Sequence, residues 1–177
     1  LTGRLDLLGE VGALAVRQDN DDGVLYAALR EGGLRVLSLV QPLHPPIIGG
    51  VDDRDYHRGL HVAAGVAALS HDGQGDASDA STEVIDVRDA AHPINGDTFG
   101  AGNRARILPR PAGTWLSITE LNSIRQETDE LFLVPAVAPS DATPVPIPIR
   151  FDGPMTDYDA DGDVIAAVGL ADDGAVD

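Results

Sequence analysis

The phrase Leu34–Pro45 (LRVLSLVQPLHP) returns 48 residues later as Thr82–Pro93 (TEVIDVRDAAHP). Apolar residues fall at the same places in both copies, and each copy ends in His-Pro. A looser third copy, Leu131–Pro144, ends in Thr-Pro. A fixed period of this length is typical of repeat architectures, in which each unit is one supersecondary structure that stacks on its neighbours. The period therefore predicts a chain of similar units.

Within each unit, short apolar segments alternate with turn residues, a pattern that indicates β-strands rather than helices. The four segments of the first unit are Gly12–Arg17, Val24–Leu29, Leu34–Val40 and Ile47–Val51. Four short strands joined by turns predict one four-stranded antiparallel sheet. The chain is thus predicted to be all-β. Its units span approximately residues 12–52, 56–100, 104–152 and, incompletely, 155–177.

Two long connections are expected between the second and third strands of a unit. His71–Ser81 (HDGQGDASDAS) has no apolar residue larger than Ala, which predicts a mobile loop. In Thr119–Glu130 a capping box at Ser117–Glu120 leaves a short helical turn around Leu121 open. Both insertions fall on one rim of the units, where repeat proteins commonly carry their recognition loops.

The repeated phrase resembles the LVIVD-type β-propeller repeat, whose form is aYVA…GLrViDvsdPsnP. The residues that carry the resemblance are Tyr26–Ala28, Gly33–Leu37, Val84–Asp89 and His92-Pro93. It covers Gly12 to Asp177, although the third copy has Val134–Ala136 where Ile85–Val87 would stand. The resemblance implies four-stranded blades around a central channel, an extracellular or cell-envelope location, and no single catalytic motif.

Propellers typically have about 4–8 blades, so this chain is expected to be a partial β-propeller. Its ends appear to fall within units, which predicts an excerpt of a longer polypeptide. The remaining blades are expected from the same parent chain.

Charge and composition disfavour several partners. The chain has 29 acidic residues against 12 basic ones, all Arg, and a formal charge of −17. Such a surface repels phosphate backbones, so nucleic acid is not expected as a partner. No apolar run approaches the roughly 18 residues of a membrane span, so membrane insertion is not expected either. Without cysteine, thiolate chemistry and disulfides are excluded.

Asp157, Asp159 and Asp161, followed by Gly162, have the opening pattern of a calcium loop. Such loops place oxygen ligands at alternate positions and a glycine at the sixth. The twelfth position is Val168 rather than an acid. The alternative interpretation is a turn at Asp161-Gly162 between the first two strands of the fourth unit. Calcium is the one cofactor to which this pattern points.

His57 and His61 are four residues apart on a predicted inner strand, so their imidazoles are expected on one face. Other polar residues nearby in sequence are Asp52, Asp53, Asp55 and His71. Imidazoles and carboxylates together can bind zinc or another transition metal. The alternative is that these are polar residues at a channel mouth that hold no ligand.

The sequence predicts no catalytic residue and no organic cofactor. Its serines lie in no G-x-S-x-G context, and its glycines follow neither the phosphate-loop nor the dinucleotide pattern. We therefore expect a non-enzymatic binding or scaffold module of a secreted or cell-envelope β-propeller, whose rim loops recognise an unidentified protein or carbohydrate. The alternative is a metal-assisted hydrolase, similar to a lactonase, that uses His57, His61 and adjacent acids.

Overall fold

The structure, a computed structural model, is composed of β-strands joined by turns. It describes residues 7, 9–19, 22–53, 57–72, 80–99, 104–111, 113–122, 127–138, 141, 143, 145–147, 155–161 and 164–169. Among these residues, no helix combines the length and the apolar character that a membrane crossing requires.

Two four-stranded antiparallel sheets occupy the first part of the chain, each with its strands in chain order. The strands of the first sheet are β1 (Val11–Asp19), β2 (Asp22–Leu29), β3 (Gly33–Ser38) and β4 (Ile47–Val51). Those of the second sheet are β5 (His57–Ala63), β6 (Val66–Asp72), β7 (Ala80–Asp86) and β8 (Ile94–Phe99). The prediction of an all-β chain with four-stranded antiparallel sheets is confirmed.

The third sheet begins in the same way and is then extended. Its first strands are β9 (Arg104–Arg110), β10 (Gly113–Asn122), β11 (Glu127–Pro135) and β12 (Val145–Pro146). A hairpin follows, made of β13 (Met155–Asp161) and β14 (Val164–Gly169). The short β12 pairs with β11 at Phe132 and Leu133, while β13 reaches β11 through the pair Thr128–Met155.

One hydrogen bond recurs at the start of the second strand in each sheet. The amide that follows the third strand donates to a carbonyl near the start of the second strand. The donor–acceptor pairs are Leu39–Gly23 at 2.8 Å, Val87–Gly65 at 2.9 Å and Ala136–Thr114 at 2.9 Å. The turns that follow also correspond, because the amides of His44 and His92 donate to Gln41 and Asp89 at 3.0 and 3.1 Å. The 48-residue offset of the sequence is thus kept in the backbone bonds of the first two sheets.

The sheets pack face to face in chain order, with β1 against β5, β5 against β9 and β9 against β13. The first interface is centred on buried residues that include Tyr26, Leu34, Leu69 and Ile85. The second is centred on Ala68, Val84, Ile107 and Leu116. Because the inner sheets are covered on both faces, Tyr26–Leu29 and Ala67–Ser70 are buried throughout. This explains why their sequences are continuously apolar rather than alternating.

The predicted long loop at Thr119–Glu130 is wrong over much of its length. β10 continues to Asn122 and β11 begins at Glu127, with Thr119 paired to Leu131. The helical turn around Leu121 is therefore also wrong, because pairing across the hairpin overrides the local capping signal. In the other predicted loop, β6 reaches Asp72 and β7 starts at Ala80. Residues 73–79 lie outside the described part of the chain.

Candidate metal centre between the first two sheets

A polar pocket of about 170 Å³ lies where the first sheet gives way to the second. The segment after β4 lines one side of it with Asp52 and Asp53. The strands of the second sheet contribute His57, Leu69, His71, Ser81, Glu83, Asn95 and Thr98. The pocket therefore joins residues from two successive sheets.

Strand register explains why the lining side chains converge. Directly opposed residues of antiparallel strands project to the same face of the sheet. His57 opposes His71 in β6, Leu69 opposes Glu83 in β7, and Glu83 opposes Thr98 in β8. All of these side chains belong to the face that packs against the first sheet, and they form a polar patch on it.

A bulge decides the direction of His57. The β5–β6 register shifts between His57 and Gly59, so that His57 opposes His71 whereas His61 opposes Ala68. His71 and Ala68 are three residues apart in β6 and project to opposite faces. The expectation that His57 and His61 share one face is therefore wrong, because one extra residue reverses the alternation of the strand.

His57 is at the centre of the cluster and is only 1% exposed. Its Nε2 atom lies 3.0 Å from Oδ2 of Asp53. Ligand atoms of Asp53, His57 and Glu83 all lie within 4.8 Å of one another. The His71 ring meets the His57 ring edge-on, with centroids 6.5 Å apart. One imidazole nitrogen and two carboxylate oxygens thus converge beside an open pocket.

Arg35 holds the segment that carries Asp53. Its Nη1 donates to the Val51 carbonyl at 3.3 Å, and its Nη2 lies 2.7 Å from Oδ1 of Asp52. On the other side, Gly33 lies against the backbone of residues 51–53, where a Cβ would overlap the Val51 carbonyl. Gly33 has a φ of +73°, a conformation that glycine adopts readily. The position of Asp53 is therefore fixed from the first sheet.

His61 instead belongs to the interface with the third sheet. Its Nδ1 accepts a hydrogen bond from the Ile107 amide at 3.0 Å. Burial lowers the pKa of His61, and the nearby charge of Arg106 lowers it further, while Asp159 acts in the opposite direction. A neutral imidazole suits this role, since Nδ1 must present a lone pair to the amide.

The three candidate calcium ligands all lie in β13. Asp157, Asp159 and Asp161 oppose Val168, Ala166 and Val164 of β14. The Asp159 carboxylate accepts from Arg106 Nε at 3.3 Å, while the side chains of Asp157 and Asp161 lie outside the described part of the structure. Alternate Cα atoms of a strand are about 6.6 Å apart, so one ion bound by all three acids would need the strand end to fold around it. Calcium binding here stays a prediction.

Glu83 is the cluster residue that sequence reasoning missed. It lies 26 residues beyond His57 and falls between the apolar residues of a strand, where an acidic side chain on the inner face is unusual. That local signal does not name a partner, because the pairing of β5, β6 and β7 brings the two residues together.

The sequence matches no protein-family model, and no curated protein is a significant match to it. What this site can do therefore follows from its own side chains. They combine nitrogen and oxygen donors of the types that bind divalent transition metals.

Proposed function

We propose that the chain is a binding or scaffold module built as a segment of an LVIVD-type β-propeller, exported to the cell envelope or the exterior. The observation that carries this proposal is the common orientation of Leu37, Ile85 and Val134. Each is fully buried in the third strand of its sheet. Ile85 packs toward the first sheet and Val134 toward the second, so each faces the preceding sheet.

The opposite face has the same regularity. Val36 packs toward the second sheet, and Val84, which is 48 residues later, packs toward the third. Corresponding positions therefore turn the same way in successive sheets, as they do when one unit is repeated by a constant rotation. The adjacency of the first strands supports blades that place β1, β5, β9 and β13 nearest a common axis.

The two ends of the stack have exposed apolar residues. Leu14 and Val16 of β1 are 59% and 63% exposed on the face directed away from the second sheet. Val164 and Val168 of β14 are 67% and 64% exposed on the face directed away from the third sheet. Further blades of the same parent chain would bury both faces and close the ring. The rim connections at residues 73–79 and 123–126 would remain free to bind a protein or carbohydrate partner.

The propeller part of the proposal is tested on the native gene and its full product. Further copies of the VIDVRDAAHP phrase in the parent sequence, together with protection of the Leu14 and Val164 amides from hydrogen exchange in the full-length protein, would support it. A parent protein in which those amides exchange as rapidly as in the 177-residue chain would contradict it.

The binding part is tested by shortening one rim connection. Replacing residues 73–79 by Asn-Gly, a favoured two-residue hairpin turn, should abolish binding to an array of glycans and cell-surface proteins while leaving thermal stability unchanged. Equal binding by the wild type and the shortened variant would contradict recognition through this rim, as would the absence of any binding by the full-length wild type.

A further inference from the structure

We propose that Asp53, His57 and Glu83 bind one divalent transition-metal ion of the zinc class, which fastens the segment after β4 to the second sheet. This site is independent of partner binding at the rim. It differs from the site expected from the sequence, because it includes Glu83 and excludes His61.

The donor set selects the class of ion. One imidazole and two carboxylates are ligands of zinc and related metals, whereas calcium and magnesium prefer an all-oxygen shell. Ligand atoms around a tetrahedral zinc ion are about 3.3 Å apart, given bond lengths of about 2.0–2.2 Å. The 3.0 Å contact of His57 with Asp53, and the 4.8 Å limit on the whole cluster, require only small movements to reach this spacing.

The charges of the cluster also favour a dication. Asp53 and Glu83 bring two negative charges to a site where both residues are only partly accessible to water. Carboxylates at this distance repel each other when both are ionised, and a nearby cation relieves the repulsion. Two carboxylates and a neutral imidazole balance a 2+ ion. The competing arrangement is a protonated His57 that lies between the two carboxylates without a metal.

The pocket leaves one coordination position for a ligand from outside. Three protein ligands leave a fourth position open in tetrahedral geometry, which is the pattern of zinc sites that bind water or a small molecule. A pocket of about 170 Å³ beside the cluster has room for such a ligand. His57 itself is inaccessible at its base, so the ion would have water on the pocket side only.

The origin of the ligands gives the ion a structural role. Asp53 follows β4 and is positioned through Arg35, whereas His57 and Glu83 belong to β5 and β7. A bound ion would therefore connect two stacked sheets. Because the unfolded chain does not hold these groups together, metal binding is expected to stabilise the folded state.

The experiment is a titration of chelator-treated protein with Zn²⁺, followed by calorimetry and by metal analysis after dialysis. We expect one ion per chain and an increase in melting temperature. Asp53→Asn and Glu83→Gln should each weaken binding by more than about tenfold, because each removes a charged ligand. The matched control is Asp89→Asn, since Asp89 and His92 make the same 3.0 Å contact in an exposed turn. This control should bind Zn²⁺ as the wild type does.

A measurement on the wild type avoids dependence on variants that fold poorly. The ¹⁵N chemical shifts of the His57 ring should move on addition of Zn²⁺, while those of His61 should stay in place. Equal affinity of the wild type and Glu83→Gln, or no binding at millimolar Zn²⁺, would overturn the proposal. A His57 ring that titrates with pH and is indifferent to Zn²⁺ would instead establish the protonated arrangement.

Discussion

The Nε2 atom of His57 lies 3.0 Å from Oδ2 of Asp53, and this contact joins the end of one sheet to the first strand of the next. His92 and Asp89 make a contact of equal length in the turn after β7. There the side chains are exposed, and the hydrogen bond from His92 is the main cause that lowers the pKa of Asp89. The same pair of residue types thus fastens a turn in one place and, beside Glu83, forms a ligand cluster in the other.

Loss of Arg35 should weaken zinc binding without removing a ligand. Arg35→Gln removes the ion pair with Asp52 and the hydrogen bond to Val51, so Asp53 loses its support. Removal of such outer contacts typically costs about 10–100-fold in metal affinity, and calorimetric titration measures it. Arg30→Gln is the control, because Arg30 pairs with Glu10 away from the cluster. Unchanged affinity in Arg35→Gln would show that Asp53 is positioned by other contacts.

The packing of β1 on β5 should fail when Gly12 acquires a side chain. A Cβ at this position would overlap the His57 carbonyl oxygen, which belongs to rigid backbone. Gly12→Ala is expected to lower the free energy of unfolding by about 1–3 kcal/mol, as other overpacked sites do, and urea denaturation measures it. Val16→Ala, at a side chain that is 63% exposed, should change it by less than about 0.5 kcal/mol. Similar values for the two variants would argue against close contact of the sheets.

Tyr158 should stabilise the docking of β13 on the third sheet. Its buried hydroxyl donates to the Ser117 carbonyl at 2.8 Å. Tyr158→Phe is expected to lower the free energy of unfolding by about 0.5–1.5 kcal/mol, the usual net value of one hydrogen bond. A loss of zero, measured by denaturation, would mean that the hairpin does not dock through this group.

Burial also raises the pKa of Tyr158 to about 12 from its ordinary 10.0. The unfolded chain therefore releases this proton first, and stability should fall as the pH rises from about 10 to about 12. Ultraviolet titration of the folded protein should show one late-ionising tyrosine that is missing in Tyr158→Phe. Three tyrosines that ionise together near pH 10 would contradict the burial.

His61 should make the protein sensitive to mild acid. Its pKa is lowered from 6.5, chiefly by burial, so the unfolded chain binds the proton more readily than the folded one. The contribution to stability is complete above about pH 6.5 and is lost as the pH falls from there toward the lowered pKa. Denaturation at several pH values should show a shallower decline in His61→Gln. His92→Gln, at an exposed turn, is the control, and an unchanged slope in His61→Gln would refute the assignment.

Calcium binding at Asp157, Asp159 and Asp161 remains to be measured. If this site exists, millimolar Ca²⁺ should raise the melting temperature, and Asp159→Ala should abolish the increase because it removes the middle ligand. Glu83→Gln should leave the calcium effect unchanged, which separates this site from the proposed zinc site. A melting temperature that is indifferent to Ca²⁺ would exclude the site.

Local patterns were sufficient to predict the strands and their order. Short apolar runs bounded by turn residues fix where each strand begins and ends, and short turns leave a strand little choice except to pair with the preceding one. The capping box at Ser117–Glu120 misled for the same reason, because a local signal cannot weigh the partner strand against a helical turn.

The sequence by itself therefore determined an all-β chain of antiparallel four-stranded sheets, in which the offset between Val36 and Val84 is visible as a period. Only the tertiary structure decided which polar side chains meet. The bulge before Gly59 turns His57 away from His61, and the register of β6 and β7 brings Glu83 to it. Periodicity records which residues are apolar, whereas the face on which a polar residue lies depends on a single-residue shift in register and on the sheet that packs above it.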